Sequence, residues 1–280
     1  MTVTANPITS DEPLSKSLDA ISRRLVTARL NANALPDFPG KLPDSLEDAY
    51  AIQSASINRW PDSILGWKVG MIPEEYRSRL GAERLSGPIY KPSVFFIDTG
   101  GARSMAIYSG GFAAVEAEFV LKIGQTIEPV TREFSDDELA GLISAVHIGA
   151  EIASSPMADV NKLGPCCVVS DFGNNAGLIV GPEIPGWRSL PAESLIASVS
   201  VDGELVGKAS ASAIQGGLHQ VLRYLINLCA VRGLTIEEGT LISSGAVTGI
   251  HEVTAASRAQ VDFGVFGAFD VSFESMMPRQ

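Results

Sequence analysis

From about Ile64 onward the chain is a series of short apolar runs, each cut off by Gly or Pro, and this punctuation constrains the fold more than any other feature. The runs are LGWKVGM, GPIYKPSVFFIDTG, AAVEAEFVLKIG, GLIVG, ESLIASVSVDGELVG, GTLISSGAVTG and AQVDFGVFGAFDVSFES. Segments of this length and composition with turn residues between them read as strands. Two helices interrupt them. One starts near Ser135, with Leu139, Leu142, Ile143 and Val146 on one face, and the other covers about 214–231, with Leu218, Leu222, Leu225 and Cys229. Ahead of the strands, Leu14, Leu18, Ile21, Leu25 and Ala28 recur at helical spacing, after a polar start over residues 1 to 12 that reads as frayed. NANALPDFPGKLPD reads as a loop, and Ser45 with Asp48 makes a capping-box-like start to a second helix through about Asn58. The expectation is an α+β fold dominated by mixed or antiparallel sheet, with a helical N-terminal region over 1–62 and a β-rich body over 63–280.

The 280 residues, 45% of them hydrophobic, are enough to bury a large core. A formal charge of −11 with only 21 Lys and Arg disfavours nucleic acid as a partner, because phosphate contacts need clustered cations. The start has neither a basic segment nor an apolar one of the kind that directs export, and no apolar stretch is long enough to cross a bilayer. Cys166, Cys167 and Cys229 form neither a disulfide framework nor a zinc pattern, so a reducing cytoplasm is the expected compartment. The same negative charge repels a small anionic substrate, which then needs a local cation to bind.

Carboxylates are the residues best placed to supply chemistry. In AAVEAEFVLKI, strict alternation puts Val115, Ala117, Phe119 and Leu121 on one face and Glu116, Glu118, Val120 and Lys122 on the other. On a helix the two acids would sit about 200° apart, so their pairing depends on the strand. Taken alone, the pair reads equally as a solvated acidic face. Glu151 lies in VHIGAEIASS, a short strand running out of the helix that begins near Ser135, where an unpaired charge is costly. A salt bridge or a neutral acid would satisfy it, but a cation explains three clustered acids better. Carboxylates without Cys or His nearby suit a hard ion, Mg²⁺ or Mn²⁺.

Lys68, in Leu65-Gly66-Trp67-Lys68-Val69-Gly70, either snorkels to water or serves as an ammonium that binds a carboxylate or, with its pKa lowered by burial, moves protons. His147 is expected to be partly buried and hydrogen-bonded rather than a ligand. His219 and His251 have no Ser or Cys partner that makes a nucleophilic relay visible. The nucleotide-binding glycine fingerprints are absent. In SSGAVTG, Gly245 and Thr248 either form an ordinary turn or offer a backbone N–H and a hydroxyl to an anionic substrate.

Taken in order, GWKVG at 66–70, VEAEFVL at 115–121, IGAEIASS at 148–155, DFGNNAGLIVG at 171–181, VDGELVGKA at 201–209 and GTLISSGAVTG at 239–249 resemble the fumarylacetoacetate hydrolase superfamily. Within it they are similar to the 2-oxopent-4-enoate hydratase and 4-oxalocrotonate decarboxylase branch. The resemblance implies a mixed β-sandwich or β-roll body preceded by helices, with Mg²⁺ or Mn²⁺ on Glu116, Glu118 and Glu151. It also implies Lys68 in the active site, an acidic position at Asp171, and a homo-oligomer that associates with another enzyme of an aromatic-compound catabolic pathway. The activity it implies is metal-dependent hydration of a 2-hydroxy-2,4-dienoate to a 4-hydroxy-2-oxo acid. Decarboxylation of a 4-oxalocrotonate-type diacid and C–C hydrolysis of an acylpyruvate are the alternatives, with a catalytically silent partner subunit as the non-enzyme one. After Lys68 the chain departs from the hydratase pattern: Met71-Ile72-Pro73 and Ser86-Gly87-Pro88-Ile89-Tyr90 lack the second proton-transfer acid, for which Glu74, Glu75, Glu83 and Asp98 are the candidates.

Overall fold

A computed structural model describes residues 11–279, with side chains from Lys16 onward. Residues 1–10 of the stretch expected to fray, and the Leu14 side chain, lie outside the described residues. The helices are α1 (Asp11–Leu30), α2 (Leu46–Ile57), α3 (Glu74–Leu80), α4 (Asp136–Leu142), α5 (Pro165–Ser170) and α6 (Gly217–Arg232). The first strands are β1 (Ile64–Met71), β2 (Arg84–Tyr90), β3 (Val94–Phe96), β4 (Ala102–Ile107), β5 (Phe112–Ile123), β6 (Ile143–Ser155) and β7 (Asn175–Glu183). They are followed by β8 (Ile196–Val201), β9 (Glu204–Ser210), β10 (Leu241–Ser243), β11 (His251–Glu252), β12 (Arg258–Asp262) and β13 (Ala268–Ser275). The α+β expectation holds. Among the described residues no helix is long and apolar enough to cross a membrane.

The strands form two sheets. The larger runs β2-β1-β10-β5-β6-β7-β3, with β11 also paired to β5, and the smaller runs β4-β13-β12-β8-β9. Most pairings are antiparallel, but β1–β10, β3–β7 and β4–β13 are parallel, so the sheets are mixed. Val115, Ala117, Phe119 and Leu121 of β5 face the smaller sheet and share one core with Val199, Val261, Phe269 and Phe273 and with Leu222 and Leu225 of α6. Phe119 meets Phe263 edge-on across the sheets, with centroids 5.4 Å apart. The opposite face of β5 is covered as well. Phe112 and Ala114 pack there with Ile21 and Leu25 of α1, Ile52 of α2, and Cys166 and Cys167 of α5. The front helices therefore roof one end of the central sheet, and β5 is buried on both faces except at Lys122.

Ser45 caps α2 as expected, its hydroxyl accepting from the Asp48 N–H at 3.1 Å. The helix expected to carry Val146 stops at Leu142. Its start is sound, since Ser135 and Glu138 form a full capping box. From Ile143, however, the chain pairs with β5, and Val146, Ile148, Ala150 and Ile152 follow a period of two into the core. A four-residue overlap between the two periods made Val146 read as helical. β6 is consequently 13 residues long rather than a short strand.

Candidate metal centre

Four neighbouring strands of the larger sheet carry the centre. In the order β1, β10, β5 and β6, Lys68 pairs with Ser243, Ser243 with Val120, and Glu116 with Glu151. Glu118 follows Glu116 on the same face of β5 by the two-residue repeat. One carboxylate oxygen from each of Glu116, Glu118 and Glu151 lies within 4.8 Å of the other two. All three residues are buried, Glu118 and Glu151 completely. The solvated acidic face that the alternation alone allowed is not what forms, because α1, α2, α5 and the turn after α5 cover this side of the sheet.

Glu118 and Glu151 are held by the groups around them. Glu118 accepts through Oε2 from the Ser243 hydroxyl, in a short contact, and from the Gly245 N–H at 3.0 Å. Glu151 accepts through Oε1 from the Asn175 amide at 3.0 Å and pairs with Lys68 Nζ at 3.3 Å. The other oxygens of these two acids, Glu118 Oε1 and Glu151 Oε2, are buried and have no hydrogen-bond partner. An unmet buried carboxylate oxygen is costly, and here two sit beside the Glu116 carboxylate. Three oxygen donors within 4.8 Å of one another fit a hard divalent cation. Without a cation, burial and the neighbouring glutamates work against ionisation. Burial raises the Glu116 pKa to about 7, opposed by Lys68 and helped by Glu151, and burial followed by Glu151 and Glu116 raises that of Glu118 well above the usual range.

Lys68 departs from one expectation. Burial favours its neutral form, but the charges of Glu151, Glu116 and Glu118 outweigh burial and raise its pKa above the ordinary lysine value. It is held as an ammonium and also donates to Asn174 Oδ1 at 3.3 Å. The turn after α5 brings Asn174 there through three consecutive left-handed residues, Phe172 (φ 56°), Gly173 (φ 67°) and Asn174 (φ 55°). A Cβ on Gly173 would lie 2.9 Å from Lys68 Cδ, and one on Gly87 would lie 2.1 Å from the Phe172 carbonyl oxygen. Only glycines allow this turn and β2 to close around the lysine.

Three of the expected site residues are engaged by neighbouring groups. Asp171 does not line the cavity. Both its oxygens are taken by the buried Arg29 of α1, Nε to Oδ1 at 2.5 Å and Nη2 to Oδ2 at 2.9 Å, and the same guanidinium donates to the carbonyls of Ser154 and Asn175. It acts through the backbone it fixes, which sets Asn174 and Asn175 against Lys68 and Glu151. Gly245 lines the cavity but gives its N–H to Glu118, and the Thr248 hydroxyl meets His251 Nε2 at 3.0 Å. His147 is partly buried and bonded through Nδ1 to the Gly181 carbonyl at 3.0 Å, as expected.

The cavity above the glutamates has a volume of ≈ 360 Å³. Its ionisable lining among the described residues is Lys68, Arg84 and Glu116, and its apolar wall includes Leu85, Val168 and Ile214. Glu74, Glu75, Glu83 and Asp98 are all exposed and none lines it, so no second carboxylate stands ready for proton transfer. Arg29, Arg84, Asn174, Asn175 and Ser243 escaped the sequence reading. The adjacent Asn residues after Gly173 were the one available signal, since Asn tolerates the left-handed region.

No family model matches the chain. It is 24% identical to the 4-oxalocrotonate decarboxylase of Pseudomonas sp. (strain CF600) over 259 residues, 87% of this chain and 92% of the relative. It is 23% identical to the 2-hydroxyhexa-2,4-dienoate hydratase of Comamonas testosteroni over 264 residues, 91% of this chain and 97% of that one. Among solved structures it is similar to 4-oxalocrotonate decarboxylase from Pseudomonas putida G7 complexed with magnesium and adipate. The TM-score is 0.75 at 22% identity, covering 96% of this chain and 100% of that chain. The resemblance read from the sequence is borne out.

Proposed function

With the fumarylacetoacetate hydrolase fold as premise, we propose that this chain is a divalent-metal-dependent lyase acting on a small 2-oxo acid, with Glu116, Glu118 and Glu151 holding Mg²⁺ or Mn²⁺. The observation that carries this reading is the pair of buried, partnerless oxygens, Glu118 Oε1 and Glu151 Oε2, beside the Glu116 carboxylate. When bound, the ion supplies Lewis-acid polarisation of the 2-oxo oxygen. The rest falls to the chain. Ser243, Gly245, Asn175 and Lys68 occupy the second oxygens of Glu118 and Glu151 and so orient the first. Lys68 Nζ keeps its proton beside Glu151 and is the cavity group able to pass one to a substrate carbon, since a guanidinium does not give up its proton. Leu85, Val168 and Ile214 restrict water around the reacting chain.

The composition of the cavity reverses the order of the two reactions considered from the sequence. Adding water to an alkene requires a group that accepts a proton from water, and no second carboxylate lines this cavity. Loss of CO₂ requires none. The finer reading is therefore decarboxylation of a 2-oxo-3-enedioate. The bond to the terminal carboxylate breaks, its electron pair moves along the conjugated chain toward the 2-oxo oxygen, and a proton is taken up at a chain carbon. The neighbour's complex with magnesium and adipate, a six-carbon diacid, supports this class of substrate. Hydration of a 2-hydroxy-2,4-dienoate is the second reading, supported by the hydratase relative.

The test is an ultraviolet assay of chelator-stripped protein, before and after Mg²⁺ or Mn²⁺ is restored, on oxalocrotonate-type diacids, 2-hydroxydienoates and acylpyruvates, with products identified by mass. Metal-dependent loss of CO₂ is expected. Gain of water instead establishes hydration, and no metal-dependent change with any of the three classes overturns the enzymatic reading in favour of a silent subunit.

A further inference from the structure

Three cations are buried among the described residues: Arg29, Lys68 and Arg84. Buried charges are ordinarily paired. Arg29 meets Asp171 and Lys68 meets Glu151. Arg84 meets no carboxylate among the described residues. Its Nη2 donates to the Gln215 carbonyl, and Glu83, its exposed chain neighbour, forms no ion pair with it. A guanidinium presents five N–H donors in a planar fork that matches a carboxylate, so most of this one is uncommitted. Burial lowers its pKa by more than the charge of Glu83 raises it. It lines the same cavity as Lys68 and Glu116.

Its position in the sheet gives a distance scale. Arg84 opens β2 opposite Met71, three residues along β1 from Lys68. At about 3.3 Å per residue, that places the two backbones roughly 10 Å apart along the strand. A six-carbon chain spans about 6 Å at the ~1.2 Å per bond of an extended backbone, which fits inside the cavity that both residues line.

We propose that Arg84 is the anchor for a second carboxylate, so that the site selects dicarboxylic 2-oxo acids, with the 2-oxo end at Lys68 and the glutamates and the tail carboxylate on the guanidinium. This rests on the 2-oxo acid reading above and assigns a residue of this chain to the substrate's second carboxylate. Arg84 is a residue of specificity rather than of bond breaking. Its contact belongs to the ground state, because the negative charge of the tail leaves it as CO₂ forms. Removing the contact should therefore raise KM and kcat together, leaving kcat/KM nearly unchanged. A product without the tail loses the anchor and is free to leave.

The experiment compares calorimetric binding of adipate, the saturated six-carbon diacid, with that of monomethyl adipate, in the presence of Mg²⁺. The proteins are the full chain, Arg84→Met and Arg84→Lys. The unaltered protein should prefer adipate by roughly tenfold or more, the scale of one charge-assisted bidentate contact. Arg84→Met should erase that preference and Arg84→Lys restore part of it. The proposal is overturned if the unaltered protein binds adipate no better than the monoester or not at all, or if Arg84→Met keeps the preference. The comparison made on the unaltered protein decides the matter even if neither variant folds. Adipate selectivity without turnover of any 2-oxo acid sinks the enzymatic reading alone. Turnover of a diacid with no dependence of KM on Arg84 sinks only the anchor.

Discussion

At the scale of single residues, the three glutamates are an arrangement waiting for positive charge. Glu116 and Glu151 lie directly opposite each other on antiparallel strands, where like charges repel. Glu118→Gln should leave the metal-free protein at least as stable as before, since it removes one of three crowded acids. It should also abolish stabilisation by Mg²⁺ or Mn²⁺. At an ion concentration of about 100 Kd that stabilisation is ~2.7 kcal/mol, or roughly 5–10 °C in Tm for a chain of this size, and thermal unfolding with and without metal reads it. Arg29→Met should behave differently. It strands the buried Asp171 and should cost about 3–5 kcal/mol regardless of metal, measured by denaturant unfolding. The glutamates were legible because alternation is local and Glu151 was conspicuous among small apolar residues. Asn175 and Ser243 were not, because their importance lies in contacts across the sheet; Ser243 reaches Glu118 from 125 residues away.

At the scale of elements, the short α4 was visible through its Ser135 capping box, whereas α3 and α5, which have no side-chain cap, were not. α3 and α5, of 7 and 6 residues, are too brief to display a helical period, and α5 begins directly at Pro165. Sequence also could not show that β2 and the turn after α5 touch. Their closeness yields a sharp test at Gly87, where a Cβ would lie 2.1 Å from the Phe172 carbonyl oxygen. Gly87→Ala should push the 172–174 turn off Lys68, lowering turnover by at least about tenfold and destabilising by roughly 1–3 kcal/mol, in line with overpacking elsewhere. Gly203→Ala, in a turn with open space around the added carbon, is the comparison: it should lose only about 1 kcal/mol, through its φ of +87°, and little activity.

For the whole molecule, strand content could be read from the sequence, but partnership could not. Nothing local says that β1 takes β10 as its parallel neighbour or that α1 lies over β5 and β6. The two-faced burial that results also governs the thiols. Cys166, Cys167 and Cys229 are free and buried, and burial raises all three pKa values, that of Cys229 to about 12. At pH 8 the thiolate fraction in the native state is accordingly small. Iodoacetamide should leave the folded protein almost unlabelled and modify three cysteines once denaturant is added, as counted by intact mass. Rapid labelling of the native protein would contradict this core.

The hydrogen bond from Ser243 to Glu118, and that from Arg29 to Asp171, have a consequence in time. The three acids lie within a 36-residue span, from Glu116 to Glu151. The groups that orient them arrive from the start of the chain and from near its end. Closing such long loops is slow and comes late, so a chain emerging from the ribosome holds all three acids long before it can aim them. In refolding, the ability to grip an ion should lag behind the appearance of strands and helices, and ion capture would mark the moment when the two ends of the polypeptide have met across its middle.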